Sequence, residues 1–532
     1  MLSHEESPAP DSGITARLAD GFSVAIEVET SRGLAMEAGA RHSVELATAA
    51  TDGGRVGAVC FTDNPGGNPH ITPETLGREL LDRDVEVVIN LSCKDYNRNS
   101  LEGRLWSLSS LGFRNVLCLS GDYPVSGFSG QARPVFDTDS VGLLEMIRRM
   151  NEGLKVTLPG RRSSETELGR TEFNPGAAVN PFKLHEGEYL TQLYKMDLKI
   201  RTGARWLVSQ IGYDARKHHE LIRYLNWKHG ESGTLPAVMG SIFVLSAPAA
   251  RFFGRWGIPG VAVNSELVEV ANRAAKAKDR GRGFFDELAA KQIAVLRGTG
   301  YNGVYLSGRL TYGRIERILD IAEGIQGDQW KDAAAEIGYS QPGEFYLFEE
   351  GDSPNTASEA MNHEYAESRG RPASLLRRAL HPDLPYRIGR FGKHFVFDHD
   401  APAFNASASL YRQIEKSKVA KKAAHAAEQM MKVPLYGCKD CGDCSLPDIG
   451  ELCPESQCVK NQRNGPCGGT RAGKCEILDK DCIYLRAYNT LKLYGEEEEM
   501  LERPVVLTDS SLQGTASWAN TFAKRDHYGK LQ

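Results

Sequence analysis

The sequence predicts an α/β protein: a (β/α)8 TIM barrel followed by a small cysteine-rich domain that binds a metal or a cluster. Two observations point there. Between residues 22 and 326, short and nearly all-apolar runs alternate eight times with amphipathic stretches. Strands that are apolar on both sides suit a parallel sheet covered on both faces, and eight such units over about 300 residues suit a closed barrel. The second observation is the distribution of cysteine. Three cysteines precede residue 436; seven fall between Tyr436 and Cys475, and Cys482 follows. A doubly wound open sheet is the alternative reading of the same alternation.

The pairs run in order. "FSVAIEVE" (22–29) reads as a strand and "MEAGARHSVELATAA" (36–50) as its helix. Then come "VGAVCFT" with "PETLGRELLDRD", "VEVVINLSC" with "LEGRLWSLSSLG", and "NVLCLSG" with "VGLLEMIRRMNEG". "GAAVN" pairs with "YLTQLYKMDLKIRTGA", "RWLVSQIGY" with "RKHHELIRYLNWKHG", and "LPAVMGSIFV" with "APAARFFGRWG". "NGVYLSG" and "YGRIERILDIAEGIQ" close the series, and helical text at 264–298 reads as an insertion before the eighth strand. The predicted organisation is a disordered lead (1–19), the barrel (20–326), a linker and connecting region (327–410), and a charged helix (411–432) opening a C-terminal domain (411–532).

Composition narrows the partners. Net charge is −5 and pI about 6.3, against a nucleic-acid or anionic-membrane binder, which needs a basic surface to neutralise phosphates. No apolar run reaches the ~18 residues of a spanning helix. The polar, acidic start "MLSHEESPAPDSG" lacks the basic region and apolar core of a signal peptide. A cytoplasmic location is expected, where structural disulfides are rare.

In such a barrel, catalytic groups sit at the C-terminal ends of strands. The first strand ends with Glu27 and Glu29, and the second with Thr62, Asp63 and Asn64. The third carries Asn90, the fourth ends "LSGDYP" with Ser120, Gly121 and Asp122, the fifth ends at Asn180, and the sixth carries Gln210. Each alone reads equally as a cap for the next helix. Together they favour a polar pocket, because a polar group on an apolar strand costs stability unless it is paired or used.

The region resembles the methylenetetrahydrofolate reductases. The likeness rests on "AIEVETSRG" (25–33), "FTDNP" (61–65), "EVVINLSCKDYNRNSLEGRLWSLSSLGFRNVLCLSGDYP" (86–124) and "KIRTGARWLVSQIGYD" (199–214). It implies a flavin-containing barrel, FAD or FMN, acting on a folate substrate. It implies that Glu27 is the general acid, with Glu29 as its rival on the same face. Asp122 would support a cationic iminium intermediate and Gln210 would hold the pterin. Thr62, Asn90, Leu119, Ser120, Gly121, Asp122 and Lys199 would line the flavin. Thr30-Ser31 stands where the family usually has Pro-Pro, Asn90 where a His is common, and Leu198 where a basic residue is frequent.

The implied reaction interconverts methylene- and methyltetrahydrofolate. The implied electron partner is NAD(P)H or a low-potential carrier protein, and a homo-oligomer is expected. A folate-dependent methyltransferase and a non-catalytic electron-transfer subunit are the rivals.

The cysteine spacing is Cys438-x2-Cys441-x2-Cys444, then Cys453, Cys458, Cys467, Cys475 and Cys482. The first run suits three ligands of an iron–sulfur cluster or a zinc knuckle. The module also resembles the C-terminal domain fused to, or encoded beside, one branch of these reductases, through "LCPESQC", "RNGPCGGTRAGKCE", "CIYLRAY" and the tail "GTASWANTFAKRDH". Eight cysteines suffice for two four-ligand sites, but spacing does not assign them.

Overall fold

The structure is a computed structural model, describing residues 13–157, 165–232, 235–255, 257–398 and 400–529. Eight parallel strands close into a barrel in chain order: β1 (Ser23–Val28), β2 (Ala58–Phe61), β3 (Glu86–Ser92), β4 (Asn115–Leu119), β5 (Asn174–Val179), β6 (Trp206–Ser209), β7 (Ala237–Phe243) and β8 (Gly303–Ser307). Pairing of β8 with β1, from Ser23 opposite Gly303 to Ile26 opposite Leu306, completes the ring. That closure decides against the open sheet.

Alternation along each strand divides the core in two. Val59, Phe61, Ile89, Leu91, Val116 and Cys118 face the helical layer. Ala25, Cys60, Val88, Leu117, Trp206 and Tyr305 fill the barrel interior. Size is matched across strands. A Cβ on Gly176 would come within 2.3 Å of the Trp206 ring, so β5 is bare where β6 is bulkiest.

Four sequence expectations change. The lead was expected to be disordered through residue 19; residues 1–12 lie outside the described residues, but Ile14–Ala19 is a helix. Its Ile14 and Leu18, four apart, join the interior cluster, and the Ile14 amide donates to Asn115 Oδ1 at 3.2 Å. Six residues give too little periodicity to be recognised in sequence.

The helix that packs on β7 and β8 is Arg282–Thr299, which also meets the helices Ala215–His229 and Tyr312–Gly324. The supposed insertion therefore supplies the outer layer, and Ala247–Gly254 is the excursion. Within the expected linker, the strands Phe348–Glu350 and Ala357–Met361 form a hairpin against the Ala215–His229 helix. Its anchors include polar groups without period: Glu220 accepts from the Phe348 amide at 2.8 Å, and His219 from the Ala357 amide at 3.1 Å. The single charged helix expected at 411–432 is two, Phe404–Ile414 and Lys418–Tyr436, the second capped by Ser417.

Among the described residues no helix is long and apolar enough to cross a membrane.

Candidate functional site

The C-terminal ends of the strands hold the candidate residues. Glu27 projects inward from β1 and is half-buried. Desolvation is the main reason its carboxyl is pushed from 4.5 up to about 7; a hydrogen bond from Tyr305 opposes this, and the charges of Glu29 and Asp122 reinforce it. The Tyr305 hydroxyl, on β8, donates to Glu27 Oε2 at 2.9 Å. Asn90 on β3 donates to that hydroxyl through Nδ2 at 3.2 Å. Three strands thus hold one carboxyl in place. The other amide atom, Asn90 Oδ1, is buried with no partner among the described residues.

Asp122 sits in the loop after β4, where its Oδ2 accepts from the Gly66 amide at 3.0 Å. Gly121 just before it has φ of 90°, and a Cβ there would meet Ser92 and Lys94 at 3.0 Å. Glycine is required both for the turn and for the close approach. Gln210 follows β6 directly, with Oε1 accepting from the Ile211 amide at 2.9 Å. Thr62, at the end of β2, accepts from the Thr30 amide at 3.0 Å. Leu119 packs on the interior cluster.

Lys199 stands apart. It lies on the outer helix Glu186–Arg201 and donates to the Ala178 carbonyl at 2.5 Å. Burial above all, then Lys195, pulls its ammonium down to about 7. The charges that bear on it are those of Lys195 and Asp139.

The cysteine-rich domain docks on this face of the barrel. Lys460 donates to the Gly121 carbonyl at 2.8 Å and is ion-paired with Glu476. Ser120 and Lys195 both donate to Gln462 Oε1, at 3.0 and 2.9 Å. Asn180 and Lys183 hold the Gly468 carbonyl, each at 2.8 Å. Asn180, expected as a pocket residue, is therefore a docking residue. Tyr305, Lys460 and Gln462 were missed in the sequence. Tyr305 had a signal, because it lies on the inward face of an otherwise apolar strand. Lys460 and Gln462 had none, because the Gly121 and Ser120 groups they meet lie more than 300 positions away.

The eight cysteines form two groups that follow chain order. Cys438, Cys441, Cys444 and Cys453 line one cavity. Cys467, Cys475 and Cys482 each lie within electrostatic reach of Cys458. No disulfide joins any of them. Burial pushes the thiols of Cys444 and Cys467 up to about 12, so only a cationic core would hold them as thiolates. Donors already face the sulfurs: Lys432 Nζ lies 3.5 Å from Cys444, and the amides of Tyr484 and Leu485 point at Cys482. Among the described residues, no three His, Cys, Asp or Glu side chains come close enough to share one metal ion.

Comparison with known sequences settles the family. The family described as methylenetetrahydrofolate reductase matches residues 42–308, half of the chain. The chain belongs to the methylenetetrahydrofolate reductase family. A second family, described as methylene-tetrahydrofolate reductase C terminal, matches residues 418–511 and takes in all eight clustered cysteines. No curated protein matches. Among solved structures, the chain is similar to an uncharacterized protein from Clostridium thermocellum that binds two copies of 5-methyl-5,6,7,8-tetrahydrofolic acid. That likeness has 12% identity and a TM-score of 0.41, over 59% of this chain and 98% of the other, and nothing further rests on it.

Proposed function

We propose that the protein is a flavin-dependent methylenetetrahydrofolate reductase whose C-terminal domain carries electrons to or from the barrel. The observation that carries this is Glu27: a carboxyl pushed by desolvation to about 7, held at the barrel's strand ends by Tyr305 and within electrostatic reach of Asp122. A group poised near neutrality can both give and take a proton. Glu27 protonates a nitrogen of the one-carbon bridge in methylenetetrahydrofolate, and ring opening leaves an iminium cation. Asp122 stabilises that cation. Gln210 presents an amide to the pterin.

The unpartnered Asn90 Oδ1 and the Ser120 hydroxyl fit a flavin edge that offers hydrogen-bond donors. A flavin held there, FAD or FMN, supplies or accepts the electron pair of the reaction.

The donor set also fits iron–sulfur clusters. Four thiols that line one cavity are the ligand type of an iron–sulfur cluster and of structural zinc alike. The experiment is an absorption spectrum and metal analysis of anaerobically purified protein, followed by turnover of a Glu27→Gln variant. Flavin and iron are expected, with turnover reduced roughly 10²–10⁴-fold in the variant. Full-rate turnover by Glu27→Gln, or purified protein without flavin, sinks the reading.

A further inference from the structure

Residues of four helices, Leu384–Gly392, Phe404–Ile414, Lys418–Tyr436 and the tail helix Ser517–Phe522, line one cavity in the C-terminal half of the chain. Much of its wall is aromatic. Phe397 stacks on Phe522 at 5.7 Å and lies 5.8 Å from Trp518, and Tyr411 lies 5.2 Å from Phe522. Rings this close ordinarily pack a core. Here they leave about 460 Å³ between them and the helices, which is the size of a small-molecule site.

One charged group lines this cavity without a partner. Glu451 is only 7% exposed, and no hydrogen bond or ion pair reaches its carboxyl among the described residues. The cations that bear on it are engaged elsewhere. Lys393 pairs with Glu499, Lys432 pairs with Glu428 at 2.8 Å, and Arg503 donates to the Pro447 carbonyl at 3.2 Å. The backbone of Glu451 is strained as well. Its φ is 62°, directly after Gly450 at 52°, in the left-handed region that favours glycine. The carboxyl lies against the helix Leu384–Gly392 at a bare position, since a Cβ on Gly389 would come within 2.3 Å of it. A buried carboxylate without donors costs stability, and so does a left-handed residue other than glycine. Such costs gather where a chain meets a ligand.

We propose that this cavity binds a flat heteroaromatic compound through an amino–N–H edge, whose amino group and adjacent ring N–H donate side by side to the two oxygens of Glu451. An ionised carboxylate only accepts, and it has two oxygens, so a pair of parallel donors is its complement. The aromatic wall suits the faces of a fused ring. Pterins and guanine carry this edge. Adenine does not, because its amino group stands beside a ring nitrogen with no proton. None of the wall residues belongs to the barrel, so this is a second site, distinct from the one at the strand ends. It requires neither the flavin nor a metal.

The test is calorimetric titration of the full, anaerobically purified chain with pterin, guanosine and adenosine. The wild type is compared with Glu451→Gln, which keeps the size but turns an amide donor toward the ligand's donors, and with Thr521→Trp, which fills the cavity from the tail helix. The two changes act on different walls, so misfolding of one variant leaves the other to decide. The expected result is binding of pterin or guanosine that each variant weakens about tenfold or more, and no binding of adenosine. Tighter binding of pterin assigns a folate-type ligand, and tighter binding of guanosine a guanine nucleotide. A pterin site in the barrel is told apart because it survives both variants. Binding that is equal in all three proteins overturns the proposal. So does adenosine bound as tightly as the other probes, or no binding of either pterin or guanosine.

Discussion

The barrel mouth and the cysteine domain hold their functional groups in opposite ways. Glu27, Asn90 and Tyr305 hang from three strands of a closed, backbone-bonded ring with a continuous apolar core on each side. The cysteine loops have only isolated bridges, such as Arg471 with Lys474, and cores of a few residues such as Ile449, Ile483, Tyr484 and Ala487. Charges are buried where apolar contacts run out. Lys432 pairs with Glu428, and His527 sits between Asp443 at 2.5 Å and Asp448 at 3.1 Å. Burial alone would lower His527, but Asp448 and Asp443 outweigh it and push it up to about 10. Buried pairs of this kind add little net stability, yet losing one partner is costly. The barrel is therefore held by its own backbone ring and core, whereas the proposed metal or cluster would tie the cysteine loops together.

The largest effect should come from breaking that tie. A Cys441→Ser/Cys453→Ser variant, or chelation under reducing conditions, should open the C-terminal domain while the barrel stays folded. Limited proteolysis of the full chain reads this directly. The wild type should resist, and the variant should lose residues beyond about 410 while a barrel fragment persists. Equal resistance in both proteins would show that the domain is self-supporting and would erase the contrast.

The two regions also differ in how much of them can be read from sequence. The eight strands were legible because both faces are buried, which leaves nearly unbroken apolar runs. Glu27, Asp122 and Gln210 stood out as polar interruptions at strand ends. Closure was not legible, since register belongs to the pairing of distant strands and not to any one of them. Nor was the bond from Tyr305 to Glu27, which spans 278 positions, although the inward place of Tyr305 on an apolar strand was. The spacing of the cysteines left their grouping open; the fold divides them in chain order, four and four. The stretch at 384–397 fell within the expected linker, and the structure makes it helical.

A smaller effect tests the barrel site. Glu27 is raised from 4.5 in the unfolded chain to about 7 in the fold, so the folded state holds its proton more tightly. Stability is then lost as pH rises from about 4.5 through about 7, by about 3 kcal/mol at most. Glu27→Gln keeps a hydrogen-bonding group of the same size and removes the charge. It should melt with the wild type at pH 4.5 and above it at pH 8. Thermal unfolding at the two pH values measures the difference. A gap that does not change with pH would mean that the carboxyl is not desolvated in solution.

The smallest effect lies where the two regions meet. Lys460 belongs to the cysteine domain, yet its ammonium holds the carbonyl of Gly121 beside Asp122. If the domain serves only to carry electrons, Lys460→Met should leave the folate side untouched. The geometry favours a change there, because the β4 loop loses a charged hydrogen bond worth about 1.5–3 kcal/mol. The expected outcome is a KM for folate raised roughly tenfold, with the iron spectrum retained and with recovery in Lys460→Arg, which restores the donor. An unchanged KM would confine the cysteine domain to electron transfer. A raised KM makes it a wall of the active site as well, and joins in function the two regions that their construction sets apart.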